Sequence, residues 1–291
     1  MNINKSSKWW KIVLIIFGFF AILIASALLS EALSSFIKNP SLKILFEEII
    51  LRIPITLFSL HLFAKMVIRA KPEEFRVKKP RQNIFLWSAI SLAFTLLVAF
   101  LILAFNQFEF FNQINSQSSQ RFAYNISATL SMALGAAVIE EIIFRGAILS
   151  VLEKKLNLKV AIIIPSIFFG LIHLFMLNAF NFADLLLLFL GGSLAGIMFS
   201  IVTIKSKSIF PAIILHFAWN LFFSGKFIKI GTAAVDKINS SIYFHLNESS
   251  TFVNGGNFGP EVSGIAILGY SLLIAICYVT LDKSQKGLLC K

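Results

Sequence analysis

Seven residues in an otherwise apolar sequence carry the chemistry this chain could perform or support. "AAVIEEIIFRGAIL", residues 136–149, holds Glu140, Glu141 and Arg145. "FFGLIH" holds Phe169 and His173, and "HFAWN" holds His216 and Asn220. All three stretches read as membrane helix, where each ionised group costs roughly 2.5–3.5 kcal/mol on insertion scales. Helix residues four apart share a face, so Glu141 and Arg145 are expected to pair, with Glu on the favourable N-terminal side. Glu140 is rotated about 100° from Glu141, which leaves its carboxylate available. Gly135, Ala136 and Ala137, one turn earlier, leave room for a neighbour or a substrate. His216 and Asn220 also lie one turn apart, and Trp219 between them is expected to point away.

A carboxylate can act as general base on water, and a histidine can share that work. A second histidine and an asparagine amide can donate to a developing oxyanion. Glu140, His173, His216 and Asn220 would therefore suffice to hydrolyse an amide with no cofactor. A zinc site built from Glu140, His173 and His216 is the competing use of the same residues. The His-Glu-x-x-His zinc signature is absent. Ser131 and Ser166 have no base at helical spacing, so a serine nucleophile has no support.

These residues need helices to hold them. Of 291 residues 57% are apolar, only 14% are charged, and 32 are Phe, a composition far from that of a soluble domain. A spanning helix takes about 20 apolar residues, and eight such segments emerge: roughly 12–29, 47–68, 84–105, 123–151, 158–177, 182–203, 208–223 and 262–281. The second carries Glu47, Glu48, Arg52, Pro54 and His61, an unusual load for a span. The expected fold is an all-α, polytopic bundle, one integral membrane domain over 1–291. Its core is 123–223, flanked by spans and loops at 1–122 and 224–291. With both termini cytoplasmic, 18 Lys and Arg face inside and seven outside, as the positive-inside rule requires. The net charge of +12 is thereby assigned to cytoplasmic loops and not to nucleic-acid binding. Cys277 and Cys290 give neither a disulfide framework nor metal spacing. At about 1.5 Å per residue, Glu140, His173, His216 and Asn220 reach similar depths in a hydrocarbon layer about 30 Å thick. One polar cavity inside the bundle is the least costly way to hold them.

The ordered set resembles the CAAX prenyl protease and bacteriocin-processing family of intramembrane endopeptidases. "EEIIFR" is similar to its Glu-Glu-x-x-x-Arg motif, "FGLIH" to its Phe-x-x-x-His motif and "HFAWN" to its His-x-x-x-Asn motif. The lead-in "SIFPAIILHFAWN" resembles the family's Ser-x-x-Pro-Ala-x-x-x-His run. The resemblance covers about 123–223 and implies an all-helical fold with eight spans. It further implies that Glu140 activates water with His173, that His216 and Asn220 form an oxyanion hole, and that Glu141, Arg145 and Phe169 support them. The partners it implies are the bilayer and a peptide or protein substrate at the membrane, lipid-modified in some relatives. Other relatives are tied to peptide maturation or bacteriocin immunity. The low-charge, Phe- and Ile-rich composition points to a bacterial plasma membrane.

Two other classes use similar residues. A transporter also places carboxylates and histidines at mid-membrane, although no repeat-related pair of broken helices is visible. An immunity or partner-binding protein could keep the fold without turnover, although binding alone would not require the full Glu, His, His, Asn set.

Overall fold

In a computed structural model of the chain, residues 1–177, 181–247 and 250–290 are described. Lys291, one of the 18 basic residues expected to face inside, lies outside them. The eight segments expected from hydropathy all form helices: α1 (Trp9–Ser34), α2 (Pro40–Ile68), α3 (Ile84–Phe105), α4 (Ser119–Glu141), α5 (Leu158–His173), α6 (Phe182–Ser206), α7 (Phe210–Phe223) and α8 (Gly264–Val279). A short amphipathic helix, α9 (Lys283–Cys290), follows. Among the described residues α1, α2, α3, α5 with its following turn, and α6 are long and apolar enough to cross a membrane. The protein is therefore a polytopic helical membrane protein. Phe17, Phe58, Phe85, Phe100 and Leu268 stand exposed on the helices, apolar surface of the kind lipid covers. The helices α7 and α8 are apolar but have 14 and 16 residues, about 21–24 Å at the helical rise.

The second helix starts seven residues earlier than expected, at Pro40, with the Asn39 side chain capping it by accepting from Leu42 N–H. Its polar load is paired. Arg52 donates to both oxygens of Glu48 at 2.9 and 3.1 Å, and Ser34 donates to Glu47 at 2.9 Å. Glu48 packs directly on α4, where a Cβ at Gly135 would stand 2.5 Å from its Oε2. The room left by Gly135 is thus taken by a neighbouring helix, whereas Ala136 lines the cavity described below.

The expectation of an all-α fold needs correction. A three-stranded sheet joins the loops after α3 and α7, with strand order β1 (Phe108–Asn112), β3 (Ile242–Leu246), β2 (Ile228–Gly231). β1 pairs antiparallel with β3 and β2 pairs parallel with it. These are short runs of aromatic and β-branched residues, which fit a pleated, half-buried surface. Hydropathy windows of membrane length average over them. The sheet is fastened to α4: Thr129 Oγ1 accepts from the N–H groups of Lys226 and Phe227 at 2.7 and 2.8 Å, and Asn125 donates to Ser241 Oγ at 3.0 Å.

The tightest helix contact is between α5 and α6. A Cβ at Gly192 would lie 2.9 Å from Gly170 Cα, and one at Gly196 would lie 2.8 Å from Ser166 Cα. The Gly192-x-x-x-Gly196 spacing therefore acts as a close-packing face. It brings the helix bearing His173 against α6, whose Phe199 borders the site.

Candidate active site

The α4 helix continues past Glu141 as a π-helical stretch, Ile142–Ile148, and then as Leu149–Glu153. Such wide turns often sit at functional sites. Here the wide turn directly follows the two glutamates and holds Arg145, which is buried. Arg145 Nη1 donates to Glu141 Oε1 at 2.9 Å, and Nη2 donates to the Gly196 carbonyl at 3.2 Å. Its guanidinium carbon lies 4.4 Å from the centre of the Phe169 ring, 5.1 Å from that of Phe199 and 5.6 Å from that of Phe144. Aromatic faces and a carboxylate together offset the cost of burying this cation.

The two adjacent glutamates have different surroundings. Glu141 is sealed, and it accepts from His216 Nδ1 at 3.0 Å on the same oxygen that receives Arg145. The Glu140 side chain is 26% exposed, and its Oε2 lies 3.9 Å from His216 Nε2 with no hydrogen-bond partner among the described residues. His216 thus stands between both carboxylates, and Phe199 stacks on its ring at 4.8 Å and 19°. A carboxylate only accepts, so His216 Nδ1 carries a proton. His173 Nδ1 likewise donates to the Phe169 carbonyl at 2.7 Å, one turn back on α5. That bond fixes the tautomer and leaves Nε2 as an acceptor when the ring is neutral.

Glu140, His173, His216 and Asn220 line one cavity of about 180 Å³. Five helices contribute to it: α4 supplies Glu140 and Ala136, α5 supplies Phe169 and His173, α6 supplies Gly191 and Phe199, α7 supplies His216 and Asn220, and α8 supplies Tyr270. Trp219 was expected to point away, yet it lines the same cavity, stacked among Phe94, Phe223 and Tyr270 at 4.5–6.0 Å. Facing helices on several sides of α7 give its neighbouring positions cavity contact too.

Sequence reasoning missed the segment that closes one end of this cavity. Phe258, Glu261 and Val262 line it, just before α8. Three glycines with positive φ, Gly255, Gly256 and Gly259, shape the approach. Gly256 has φ +63°, and a Cβ there would lie 1.9 Å from Asp184 Oδ1 and 2.7 Å from Thr251 Cγ2, so the position favours glycine. Asn257 donates to Asp184 Oδ2 at 2.6 Å, Ser224 donates to Glu261 Oε1 at 2.7 Å, and the Tyr270 hydroxyl donates to the Glu261 carbonyl at 2.7 Å. The Gly255-Gly256 pair was the available sequence signal, but nothing in sequence showed where that loop lands. Among the described residues no group of three His, Cys, Asp or Glu side chains has the spacing to hold a metal ion.

Compared with known proteins, residues 122–222 match the family described as Type II CAAX prenyl endopeptidase Rce1-like. No curated protein and no solved structure matches the chain.

Proposed function

We propose, from the premise that the chain carries an Rce1-like type II CAAX prenyl endopeptidase domain at residues 122–222 and is a hydrolase of that family, that it cleaves a peptide bond by a glutamate-activated water. The observation that carries this reading is the unequal environment of the two adjacent glutamates. Oε2 of each glutamate lacks a hydrogen-bond partner among the described residues, but Glu141 is buried with its Oε1 held by both Arg145 and His216, while Glu140 is partly exposed and lines the cavity.

Glu140 takes a proton from water, assisted by His173, whose Nδ1–H is held by the Phe169 carbonyl so that Nε2 accepts. The water oxygen bonds to the carbonyl carbon, and the carbonyl oxygen becomes an oxyanion. His216 and Asn220, one turn apart on α7, donate to it. Because Nδ1–H of His216 is committed to Glu141, donation from Nε2 requires the ring to carry both protons. Glu141 and Glu140 lie on either side of the ring, 3.0 Å from Nδ1 and 3.9 Å from Nε2. Collapse of the intermediate breaks the carbon–nitrogen bond, and the proton held by Glu140 passes to the leaving amine.

The whole chain is read as one integral membrane domain of eight spans, both termini cytoplasmic, in a bacterial plasma membrane. The substrate is a protein or peptide at the membrane. Prenylated Cys-a-a-X proteins, named in the family's description, are the first class to test. The largely apolar lining, with Met132, Phe169, Leu188 and Phe258, suits an apolar segment. Cleavage of a membrane-anchored reporter peptide in ¹⁸O water tests the chemistry. One ¹⁸O in the new carboxylate supports hydrolysis, and intact reporter beside measurable solute flux would support the transporter reading instead.

A further inference from the structure

Glu261 lies outside residues 122–222 and belongs to none of the three motifs, yet its side chain lines the cavity that holds Glu140, His173, His216 and Asn220. It is held in place from two directions. Ser224, at the C-terminal end of α7, donates to its Oε1, and Tyr270 of α8 donates to its backbone carbonyl, each at 2.7 Å. A carboxylate fixed at both its backbone and one oxygen has little freedom to leave the cavity.

The ionisable groups that line this cavity include two carboxylates, Glu140 and Glu261, and two imidazoles, His173 and His216. No Lys or Arg is among its lining residues. Arg145 is buried behind Glu141. Burial pushes the Glu261 carboxyl above its usual range, opposed by the Ser224 hydrogen bond and by His173, Lys229 and His216, and Lys229 is itself paired with Asp236 at 2.7 Å. Glu261 is therefore a second carboxylate in the cavity, apart from Glu140, with one oxygen held by Ser224 and no Lys or Arg paired with it among the described residues. In a site of low dielectric a carboxylate gains most from a bound cation, and it repels a second carboxylate by a comparable amount.

We propose that Glu261 is a specificity residue for the hydrolytic reaction, receiving a lysine or arginine side chain of the substrate near the scissile bond. This rests on the peptidase reading of the same cavity. It follows that a segment combining apolar residues with one basic residue fits better than one with an acidic side chain at that position. Pairing of a charged hydrogen-bond donor with a fixed carboxylate corresponds to a preference on the order of tenfold.

The test uses the full-length protein in detergent and a set of fluorogenic peptides of one apolar sequence. Single flanking positions are replaced in turn by Lys, by its neutral isostere norleucine, or by Glu. For the wild type, kcat/KM with Lys exceeds that with norleucine by about tenfold at one position, with Glu the poorest. In Glu261→Gln, which keeps an oxygen for Ser224 to donate to, the Lys-to-norleucine ratio falls to near one. In Glu261→Lys the order inverts in favour of Glu. A structural role alone would lower all rates and leave these ratios unmoved, so unchanged ratios in both variants overturn the proposal while leaving the peptidase reading intact. Cleavage that persists in Glu140→Gln would instead overturn the catalytic reading.

Discussion

Nδ1 of His216 lies 3.0 Å from Oε1 of Glu141, the same oxygen that accepts from Arg145. Glu141 is therefore the residue that joins α4 to α7 at the site, orienting a ring whose other nitrogen is 3.9 Å from Glu140. Replacing Glu141 by Gln removes the charge opposite a buried guanidinium. Breaking a buried ion pair in this way costs about 3–5 kcal/mol. Thermal unfolding in one detergent should place Glu141→Gln well below the wild type and Glu140→Gln close to it. Equal melting of the two variants would contradict the division of labour between the glutamates.

Asn220 shares a helix face with His216 and lines the same cavity. As an oxyanion donor it acts only once negative charge has formed. Asn220→Ala should lower turnover by about 10²–10³ with little change in the Michaelis constant. Steady-state kinetics on a cleavable peptide gives both numbers. A normal turnover rate in this variant would remove Asn220 from the mechanism.

Phe169 offers its ring to Arg145 at 4.4 Å and its carbonyl to His173. Adjacent Phe168 is exposed on the apolar outer surface. Phe169→Leu keeps the carbonyl but loses the aromatic face, worth up to about 2 kcal/mol for a desolvated cation. Chemical unfolding should show Phe169→Leu destabilised and Phe168→Leu little changed. Equal effects would mean that the arginine draws nothing specific from that ring.

Much of this arrangement can be read in sequence, for definite reasons. Membrane helices announce themselves by length and hydropathy, and the segment expected at 84–105 is α3 to the residue. The Glu141–Arg145 pair follows from helical spacing alone. Contacts between helices do not follow from spacing. Phe199 stacking on His216, Glu48 filling the space beside Gly135, and His216 reaching Glu141 all depend on how α4, α6, α7 and α2 cross. The sheet and the Glu261 segment were illegible for a related reason. Their residues are ordinary loop residues until Thr129 and Asp184, far away in sequence, and Tyr270 of the following helix fix them in place.

The metal alternative uses Glu140, His173 and His216, and binding would run through Nε2 of each histidine, since Nδ1 is committed to Glu141 in His216 and to the Phe169 carbonyl in His173. The glutamate mechanism expects cleavage to survive exhaustive chelation, and elemental analysis to find no stoichiometric zinc in purified active protein. One zinc per chain, lost together with activity, would favour the metal reading.

The central claim is that Glu140 activates the water. Its most direct test is the single-turnover rate of peptide cleavage by purified Glu140→Gln beside the wild type, in the same lipid and with matched thermal stability. The amide keeps the shape of the side chain and removes its basicity. The expected result is a fall of at least about 10²-fold, the low end for a general base. A wild-type rate in Glu140→Gln would contradict the claim.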